Sequence, residues 1–364
     1  MNNHTFNTNK FTNYKITIKT NPENIINLLI LEDSFYGSIV FKDKSLYTIN
    51  YYNDNLDKIT VQCKYDNSDY TIDFSEESLK IQQIYMNKVL QITFLHDIQK
   101  QYNLRIYDND YEPSIFYGLM NDADISALEK NKSLKIIVWI GGDINFIINR
   151  APNISRQIKN QVERILRVPK IKHVSISSFI TKSLTDLHLP FKFVPFMGNI
   201  FPDYKAVTKG PCIYLYTSLG CEQYYGNHYY IRLMQKYANI RFIVTCHYAK
   251  YQSLLKKGKG FKYGIKYYTK KQLINEIYPQ CFIGLRLTDH DGLSGTVQEL
   301  GLMGIKSVHN GCSPSSLNYK SFEDICSHID REIKTIGTAD DELATSVRNY
   351  LTIDLNFFNT EFYK

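Results

Sequence analysis

The chain has 364 residues, of which 43% are hydrophobic and 22% are charged. This balance excludes a largely disordered or fibrous protein, and the length predicts two or three domains with sizeable cores. The formal net charge of +7 comes from scattered residues and selects no partner by itself. No stretch approaches the roughly 18 apolar residues of a membrane span, and the first residues form no apolar signal segment. The seven cysteines include no C-x-x-C pair and are odd in number, so we expect a cytoplasmic protein without a disulfide framework.

Residues 1–78 are predicted to form a small β-rich domain. Short alternating runs such as YKITIK, SLYTINYY and YTIDF are separated by NDN and DNSD, which are typical turn sequences. No catalytic set of side chains stands out in this region. We therefore interpret it as an accessory module and as a candidate surface for homo-oligomer formation.

From residue 79 onward, helical periods alternate with short apolar strands, which predicts an α/β fold with two Rossmann-like, doubly wound domains. Residues 79–205 contain the strands SIFYGLM and KIIVWIGG, and the stretch SLKIQQIYMNKVLQITFLHDIQKQY is predicted to be helical in part. The polar break MGNIFPDYKAVTKGP precedes a second run of the same kind, residues 206–345. Residues 346–364 are assigned to a C-terminal helix that is a candidate to pack back on the first domain. The active site is expected in the cleft between the domains, at the carboxyl ends of the strands.

The most informative segment is DHDGLSGTVQEL, which follows the apolar strand CFIGLRL. Gly292 and Gly295 allow the backbone to approach a ligand closely. Ser294 or Thr296 can cap a helix that runs through Glu299, leaving free N–H groups and a positive dipole end at the cleft. Because such a helix start binds anions, the segment predicts a phosphate site.

Two acids flank this turn. Glu299 lies one turn into the predicted helix, where a carboxylate suits the hydroxyl groups of a ribose. Asp291 lies eight positions earlier, on the loop, and would face another part of the ligand, such as sugar hydroxyls. The pair implies one ligand that holds phosphate and sugar together.

The stretch DGLSGTVQELGLMGIKSV resembles the donor-binding motif of GT-B glycosyltransferases, notably the large retaining family 4. That motif has two glutamates eight positions apart around a glycine-rich turn, followed by E-A-x-x-x-G-x-P-V. Here Asp291 replaces the first glutamate, while Leu300, Gly304 and Lys306 occupy the Ala, Gly and Pro positions. A less specific likeness extends over residues 95–345.

The resemblance implies a GT-B fold and transfer of a sugar from a UDP- or GDP-sugar to a hydroxyl of a glycan or glycoconjugate. It also implies retention of anomeric configuration and no bound metal or other cofactor. Family members often place an Arg and a Lys after the first strand of the second domain, a pair that YLYTSLGCEQYYGNHYY lacks. Arg286 is the favoured replacement, with Lys262 and Lys266 as alternatives. The implied donor-binding residues are Arg286, Gly292, Leu293, Ser294, Gly295, Thr296 and Glu299.

Asp291 and Asp143 are the candidate catalytic residues. Asp143 ends the sequence WIGGD of the first domain, where it could orient the acceptor hydroxyl or the sugar, or could equally cap the following helix. His290 is either a general base or part of a polar turn.

Two other functions stay open. The lysine-rich stretch LLKKGKGFKYGIKYYTKK, ending at Lys271, is a candidate DNA-binding surface and would suit a nucleic-acid-modifying glycosyltransferase. The missing basic pair and the aspartate at position 291 favour the other alternative, a catalytically inactive GT-B module that binds a glycan or a partner protein.

Overall fold

The structure is a computed structural model of the chain. It describes seven strands within residues 2–77 and, beyond them, residues 81–91, 95–144, 161, 163–197, 204–217, 224–245 and 268–353. The predicted fold class is confirmed over these ranges, because two parallel sheets with helices follow an antiparallel β region. No helix in these ranges is long and apolar enough to cross a membrane.

The amino-terminal strands form two antiparallel sheets, with orders β1-β6-β3-β4 and β5-β2-β7. The strands are β1 (Asn2–Asn7), β2 (Thr12–Thr20), β3 (Ile26–Glu32), β4 (Phe35–Phe41), β5 (Leu46–Asn53), β6 (Lys58–Cys63) and β7 (Tyr70–Glu77). The alternating runs of the sequence, which also include GSIVF and KITVQCKY, correspond to five of them, β2, β4, β5, β6 and β7. Strands β1 and β3 were not predicted, since one is mostly polar and the other mostly apolar, and neither alternates. The role of this region in homo-oligomer formation stays a prediction.

Six parallel strands form the sheet of the first α/β domain, in the order β13-β12-β11-β10-β8-β9. They are β8 (Gln83–Met86), β9 (Arg105–Ile106), β10 (Ser114–Tyr117), β11 (Lys135–Trp139), β12 (Ile171–Ser175) and β13 (Phe191–Phe193). Its helices include Lys88–Leu90, His96–Tyr102, Asp122–Lys130 and Ser178–Asp186. The helical prediction that starts at residue 79 is therefore confirmed in part. It is wrong for β8, which is a strand, because four residues are too few to distinguish a helical from an alternating hydrophobic repeat.

Five parallel strands form the sheet of the second α/β domain, in the order β15-β14-β16-β17-β18. They are β14 (Cys212–Leu215), β15 (Arg241–Val244), β16 (Cys281–Leu285), β17 (Lys306–Val308) and β18 (Ser316–Leu317). The α-helices are Asn227–Lys236, Lys270–Gln272, Gly295–Leu302, Phe322–Glu332 and Asp341–Leu351. A π-helical turn, Leu273–Ile277, and two 3-10 turns, Tyr278–Gln280 and Ile333–Thr335, complete the described elements.

Both parallel sheets are wound in the same way. The second strand along the chain lies on one side of the first, and the later strands extend on the other side. The winding therefore reverses between β8 and β10 and between β14 and β16. In open parallel sheets, ligands bind outside the carboxyl ends of the strands at this switch point. In the second domain these ends are Leu215 and Leu285.

The C-terminal helix, Asp341–Leu351, packs mainly on the second domain. Its buried residues Leu343, Val347 and Leu351 share one apolar cluster with Leu300 and Leu302 of the helix Gly295–Leu302. The domain boundary predicted after residue 345 falls inside this helix, whose amphipathic repeat is continuous. It also meets the first domain: the rings of Tyr350 and Phe193 are 6.5 Å apart, and Ile353, two residues after the helix, packs on the first-domain core.

A tryptophan–histidine pair lies in the first-domain sheet. Nε1 of Trp139 donates a hydrogen bond to Nδ1 of His173 at 3.1 Å, and the two rings are nearly parallel. Because Nδ1 accepts this bond, the neutral imidazole carries its proton on Nε2. Burial lowers the pKa of His173 to about 4.

This pair is expected to make the fold sensitive to acid. An unfolded histidine takes up a proton at about pH 6.5, whereas folded His173 resists protonation until about pH 4. Its contribution to stability is therefore complete above the unfolded pKa and is lost as the pH falls through this window, by about 3 kcal/mol in total. Urea unfolding between pH 7 and 4 measures the effect. His173→Asn is the control, because its amide oxygen can accept from Trp139 without titrating, and identical pH profiles for the two proteins would contradict the prediction.

Candidate active site

Arg286, the residue that follows β16, lies between two aromatic rings from the segment after β14. Its guanidinium carbon is 4.2 Å from the ring centroid of Tyr216 and 5.1 Å from that of Tyr225. The same guanidinium binds Asp291, through Nε to Oδ2 at 2.5 Å and through Nη2 to Oδ1 at 3.1 Å. Since β14 and β16 are the strands of the switch point, the topology of the sheet brings these four side chains together.

Arg286 and Asp291 form a nearly buried ion pair. Their side chains are only 11% and 12% exposed. Burial alone lowers the pKa of Arg286, but the carboxylate of Asp291 outweighs burial and the pKa lies above its ordinary value. The guanidinium therefore stays charged, with Asp291 as its counter-ion. A phosphate group would suit the same guanidinium, because phosphate also accepts two parallel N–H bonds.

A helix start lies next to this ion pair. Ser294 is the N-cap of the helix Gly295–Leu302, and its Oγ accepts a hydrogen bond from the N–H of Val297 at 3.4 Å. Among the residues that the structure describes, none accepts a hydrogen bond from the N–H of Gly295 or Thr296. These free donors and the positive end of the helix dipole are the features of an anion site.

The loop of residues 286–294, here named the switch-point loop, touches the first domain directly. Gly141 has φ +107°, and a Cβ atom added to it would lie 2.8 Å from the backbone N of Gly292. Oγ of Ser177 donates a hydrogen bond to the carbonyl oxygen of Asp291 at 3.2 Å. Leu293 packs against the cores of both domains. The loop therefore lies at the seam between the two α/β domains, where the sequence predicted a cleft.

Two histidines of the second domain flank Phe179 of the first domain. The ring centroids of His290 and His309 are 5.9 and 5.6 Å from that of Phe179. Burial lowers the pKa of both histidines, and the Asp291 carboxylate partly offsets this. His309 was not among the predicted site residues, because the sequence IKSVHNG indicates only a strand followed by a turn.

Glu299 lies in a separate environment. Its Oε2 accepts a hydrogen bond from the hydroxyl of Tyr278 at 2.9 Å, and its Oε1 is 3.5 Å from Nζ of Lys270. Burial raises the pKa of Glu299, while Lys270 and Tyr278 partly offset the rise. Tyr278 is fully buried. The carboxylate of Glu299 therefore supports the local fold, whatever ligand it also contacts.

Asp143 is fully buried, and its carboxylate faces the backbone. It accepts hydrogen bonds from the N–H groups of Leu119, Ile140, Gly141 and Ile144, at distances between 2.7 and 3.3 Å. Burial raises the pKa of Asp143 to about 6, and the four N–H donors oppose this rise. In the described residues its carboxylate thus holds the turn that follows β11, and a role in orienting an acceptor or sugar stays a prediction.

The lysine-rich stretch can be followed only in part. Lys262, Lys266 and most of their neighbours lie outside the described residues, and the described Lys270 contacts Glu299. Within the described ranges, no three His, Cys, Asp or Glu side chains are grouped as ligands for a metal ion. The site of the described chain thus consists of an Arg–Asp pair, a helix start and aromatic rings at the seam of two Rossmann-like domains.

No protein-family model matches the chain, and no curated protein sequence matches it. Among solved structures, sucrose-phosphate synthase from Thermosynechococcus elongatus aligns with 74% of this chain and 73% of its own, at 9% identity and a TM-score of 0.47. HepE from Anabaena, solved with UDP and glucose, aligns with 74% of this chain and 94% of its own, at 10% identity and a TM-score of 0.47. UDP-GlcNAc 2-epimerase from Neisseria meningitidis, solved with UDP-GlcNAc, aligns with 74% of this chain and 98% of its own, at 11% identity and a TM-score of 0.36.

Proposed function

We propose that the chain is a glycosyltransferase that moves a sugar from a nucleotide-diphosphate sugar to an acceptor hydroxyl. The observation that carries the proposal is the meeting of three features at one switch point and one domain seam. These are the Arg286 guanidinium, the Asp291 carboxylate and the N–H groups at the start of the helix Gly295–Leu302, to which no described residue offers an acceptor. Cationic donors beside a carboxylate suit a ligand in which a diphosphate is joined to a sugar. The resemblance of the same segment to the GT-B donor motif supports the proposal.

In the proposed complex, the diphosphate lies against the helix start and Arg286. The helix start is in place before the ligand arrives, and Arg286 joins it when the diphosphate takes the place of Asp291. Together these donors stabilise the charge that develops on the leaving diphosphate more than the charge of the ground state. Because they can neutralise the diphosphate, we propose transfer without a metal. Retention of configuration, a UDP- or GDP-linked donor and a glycan acceptor are inferred from the motif resemblance alone.

The acids have different proposed roles. Asp291 faces the transferred sugar once the diphosphate has taken its place on Arg286, and Glu299 accepts hydrogen bonds from the ribose. Asp143 acts as a positioning residue, because its carboxylate holds the turn that brings Gly141 against Gly292.

A thermal-shift panel of UDP-glucose, GDP-mannose and dTDP-glucose tests the function. We expect at least one of these nucleotide sugars to raise the Tm, since a ligand at 100 times its Kd adds about 2.7 kcal/mol of stability. Glu299→Gln is expected to raise the Kd of that ligand by about tenfold, because the ribose hydroxyls lose a charged acceptor. The amide oxygen of the variant can still accept the bond from Tyr278, so the fold is retained.

Two variants serve as comparisons. Glu342→Gln replaces an exposed helical acid and is expected to leave the ligand-induced shift unchanged. Glu299→Ala is expected to lower the free energy of unfolding by about 1–3 kcal/mol as well, because it leaves the buried Tyr278 hydroxyl without this acceptor. A panel in which no nucleotide sugar raises the Tm, together with no sugar transfer or donor hydrolysis, would refute the proposal.

A catalytically inactive glycan-binding or partner-binding module is the second candidate. The observation that favours it is that Arg286 already has a bidentate counter-ion within the chain. Binding of an oligosaccharide without any response to nucleotide sugars would support this candidate over the enzyme.

A further inference from the structure

His309 is held at one ring nitrogen by the backbone of the proposed diphosphate-binding residue. Its Nδ1 lies 3.1 Å from the carbonyl oxygen of Arg286. A carbonyl oxygen only accepts hydrogen bonds, so Nδ1 is the protonated nitrogen of this bond. The side chain is 3% exposed, which leaves little freedom for the ring to turn.

The other ring nitrogen faces the counter-ion of the same arginine. Nε2 of His309 lies 3.9 Å from Oδ2 of Asp291, the oxygen that also receives the Arg286 Nε. A neutral imidazole protonated at Nδ1 directs a lone pair at this carboxylate and cannot bind it. A second proton on Nε2 makes this nitrogen a charged donor, which can form a charge-assisted hydrogen bond with Asp291 once the two atoms move to within about 3 Å of each other.

We propose that His309 is a positioning residue that takes up a proton when the diphosphate of a nucleotide sugar binds, holds Asp291 through Nε2, and thereby frees Arg286 for the diphosphate. This inference rests on the proposed function. In the unliganded site His309 is neutral. The positive charge of Arg286 and the negative charge of Asp291 then cancel, and the site has no net charge. Protonation from solvent gives the site a net charge of +1 as the anionic ligand enters. No covalent bond is formed or broken in this step.

The groups around His309 set the direction of the pH dependence. Among the described residues, the charged groups beside it are Arg286, which follows β16, and Asp291, on the switch-point loop, while His290 of that loop lies across Phe179. The first-domain helix Ser178–Asp186 contributes only the uncharged ring of Phe179 to this contact. Burial lowers the pKa of free His309, and a bound dianion would raise it. Affinity for a nucleotide sugar is therefore expected to rise as the pH falls from 8 to 6.

The test is titration calorimetry with UDP-glucose, GDP-mannose and dTDP-glucose at pH 6, 7 and 8, in pairs of buffers with different ionisation enthalpies. Nucleotide sugars are used because their diphosphate diesters do not titrate in this range, unlike free nucleoside diphosphates. For the ligand that binds, we expect proton uptake at pH 7 and roughly a fivefold fall in Kd between pH 8 and 6, within the limit of about tenfold per pH unit for one linked proton.

Three variants distinguish this role from a structural one. His309→Asn can still donate to the Arg286 carbonyl but lacks Nε2, so we expect no proton uptake and the weak binding that wild type has at pH 8. His309→Gln offers a donor that does not titrate to Asp291, so binding is expected to be independent of pH and tighter than in His309→Asn. His290→Asn is expected to keep the wild-type pH dependence.

The outcomes separate the inference from the proposed function. Binding by wild type with no proton uptake and no pH dependence overturns the inference and leaves the function intact. Loss of proton uptake in His290→Asn but not in His309→Asn also overturns it, because the proton then belongs to His290. If no nucleotide sugar binds at any pH, the proposed function fails and the inference falls with it.

Discussion

Gly292→Ala is expected to lower glycosyl transfer by about a hundredfold while leaving both α/β domains folded. A Cβ atom at this position would overlap the carbonyl oxygen of Ile140, a backbone atom of the first domain that cannot rotate away. The switch-point loop and the first domain must therefore move apart. A displacement of about 1 Å from the productive geometry is enough for a loss of this size. Initial rates of transfer, with the far-ultraviolet circular dichroism of the same sample, measure the two parts of the prediction.

The matched control is Gly142→Ala, one residue from the other glycine of the contact. A Cβ atom there would meet the terminal methyl group of Met120 at 3.3 Å, which is the flexible end of a side chain. Transfer by this variant is expected to stay within about threefold of wild type, since a flexible neighbour can yield by a few tenths of an ångström. Full activity of Gly292→Ala would mean that the two domains do not need to meet at this loop.

Asp291→Asn is expected to lower the free energy of unfolding by about 3 kcal/mol, because it leaves the buried Arg286 guanidinium without a counter-ion. Transfer is expected to fall as well. A nucleotide sugar should nevertheless raise the Tm of Asp291→Asn more than that of wild type, since its diphosphate replaces the missing carboxylate. Denaturant unfolding and thermal shift with the best ligand of the panel measure both effects.

Asp186→Asn is the comparison for this loss of charge. Asp186 pairs with Lys182 at 3.0 Å, but the two side chains are 54% and 80% exposed. Removing such a pair is expected to change stability by less than about 1 kcal/mol. Equal destabilisation by the two variants, or a smaller ligand-induced shift in Asp291→Asn than in wild type, would count against the proposed exchange of Asp291 for diphosphate.

The local part of the site could be predicted from the sequence because it lies in one continuous segment. A buried strand, a glycine turn and a capped helix follow each other within residues 281–302, and Ser294 is the cap. The sequence could also indicate Arg286 as a candidate cation. That it pairs with Asp291 could not be predicted, because the two residues lie five positions apart across an irregular loop with no fixed geometry.

The remaining site residues come from other strands and from the other domain. Tyr216 and Tyr225 are two of 29 tyrosines in a sequence rich in that residue, and only the β14–β16 pairing places them beside Arg286. His309 and Phe179 meet across the seam between domains. For Asp143 the sequence left two roles open, one facing the ligand and one facing the following helix. Which way a side chain at the end of a strand points depends on tertiary packing. These residues meet because of the order in which the strands pair and the domains pack, which their spacing along the chain does not reveal.

The packing of the C-terminal helix has a consequence for how the protein is made. Gly301 lies so close to this helix that a Cβ atom added to it would be 2.9 Å from Cγ2 of Val347. Residues 341–351 leave the ribosome after every strand of both parallel sheets. A nascent chain that has completed both sheets therefore still exposes one side of the helix Gly295–Leu302, and the anion site acquires its full support only after Leu351 has left the ribosome.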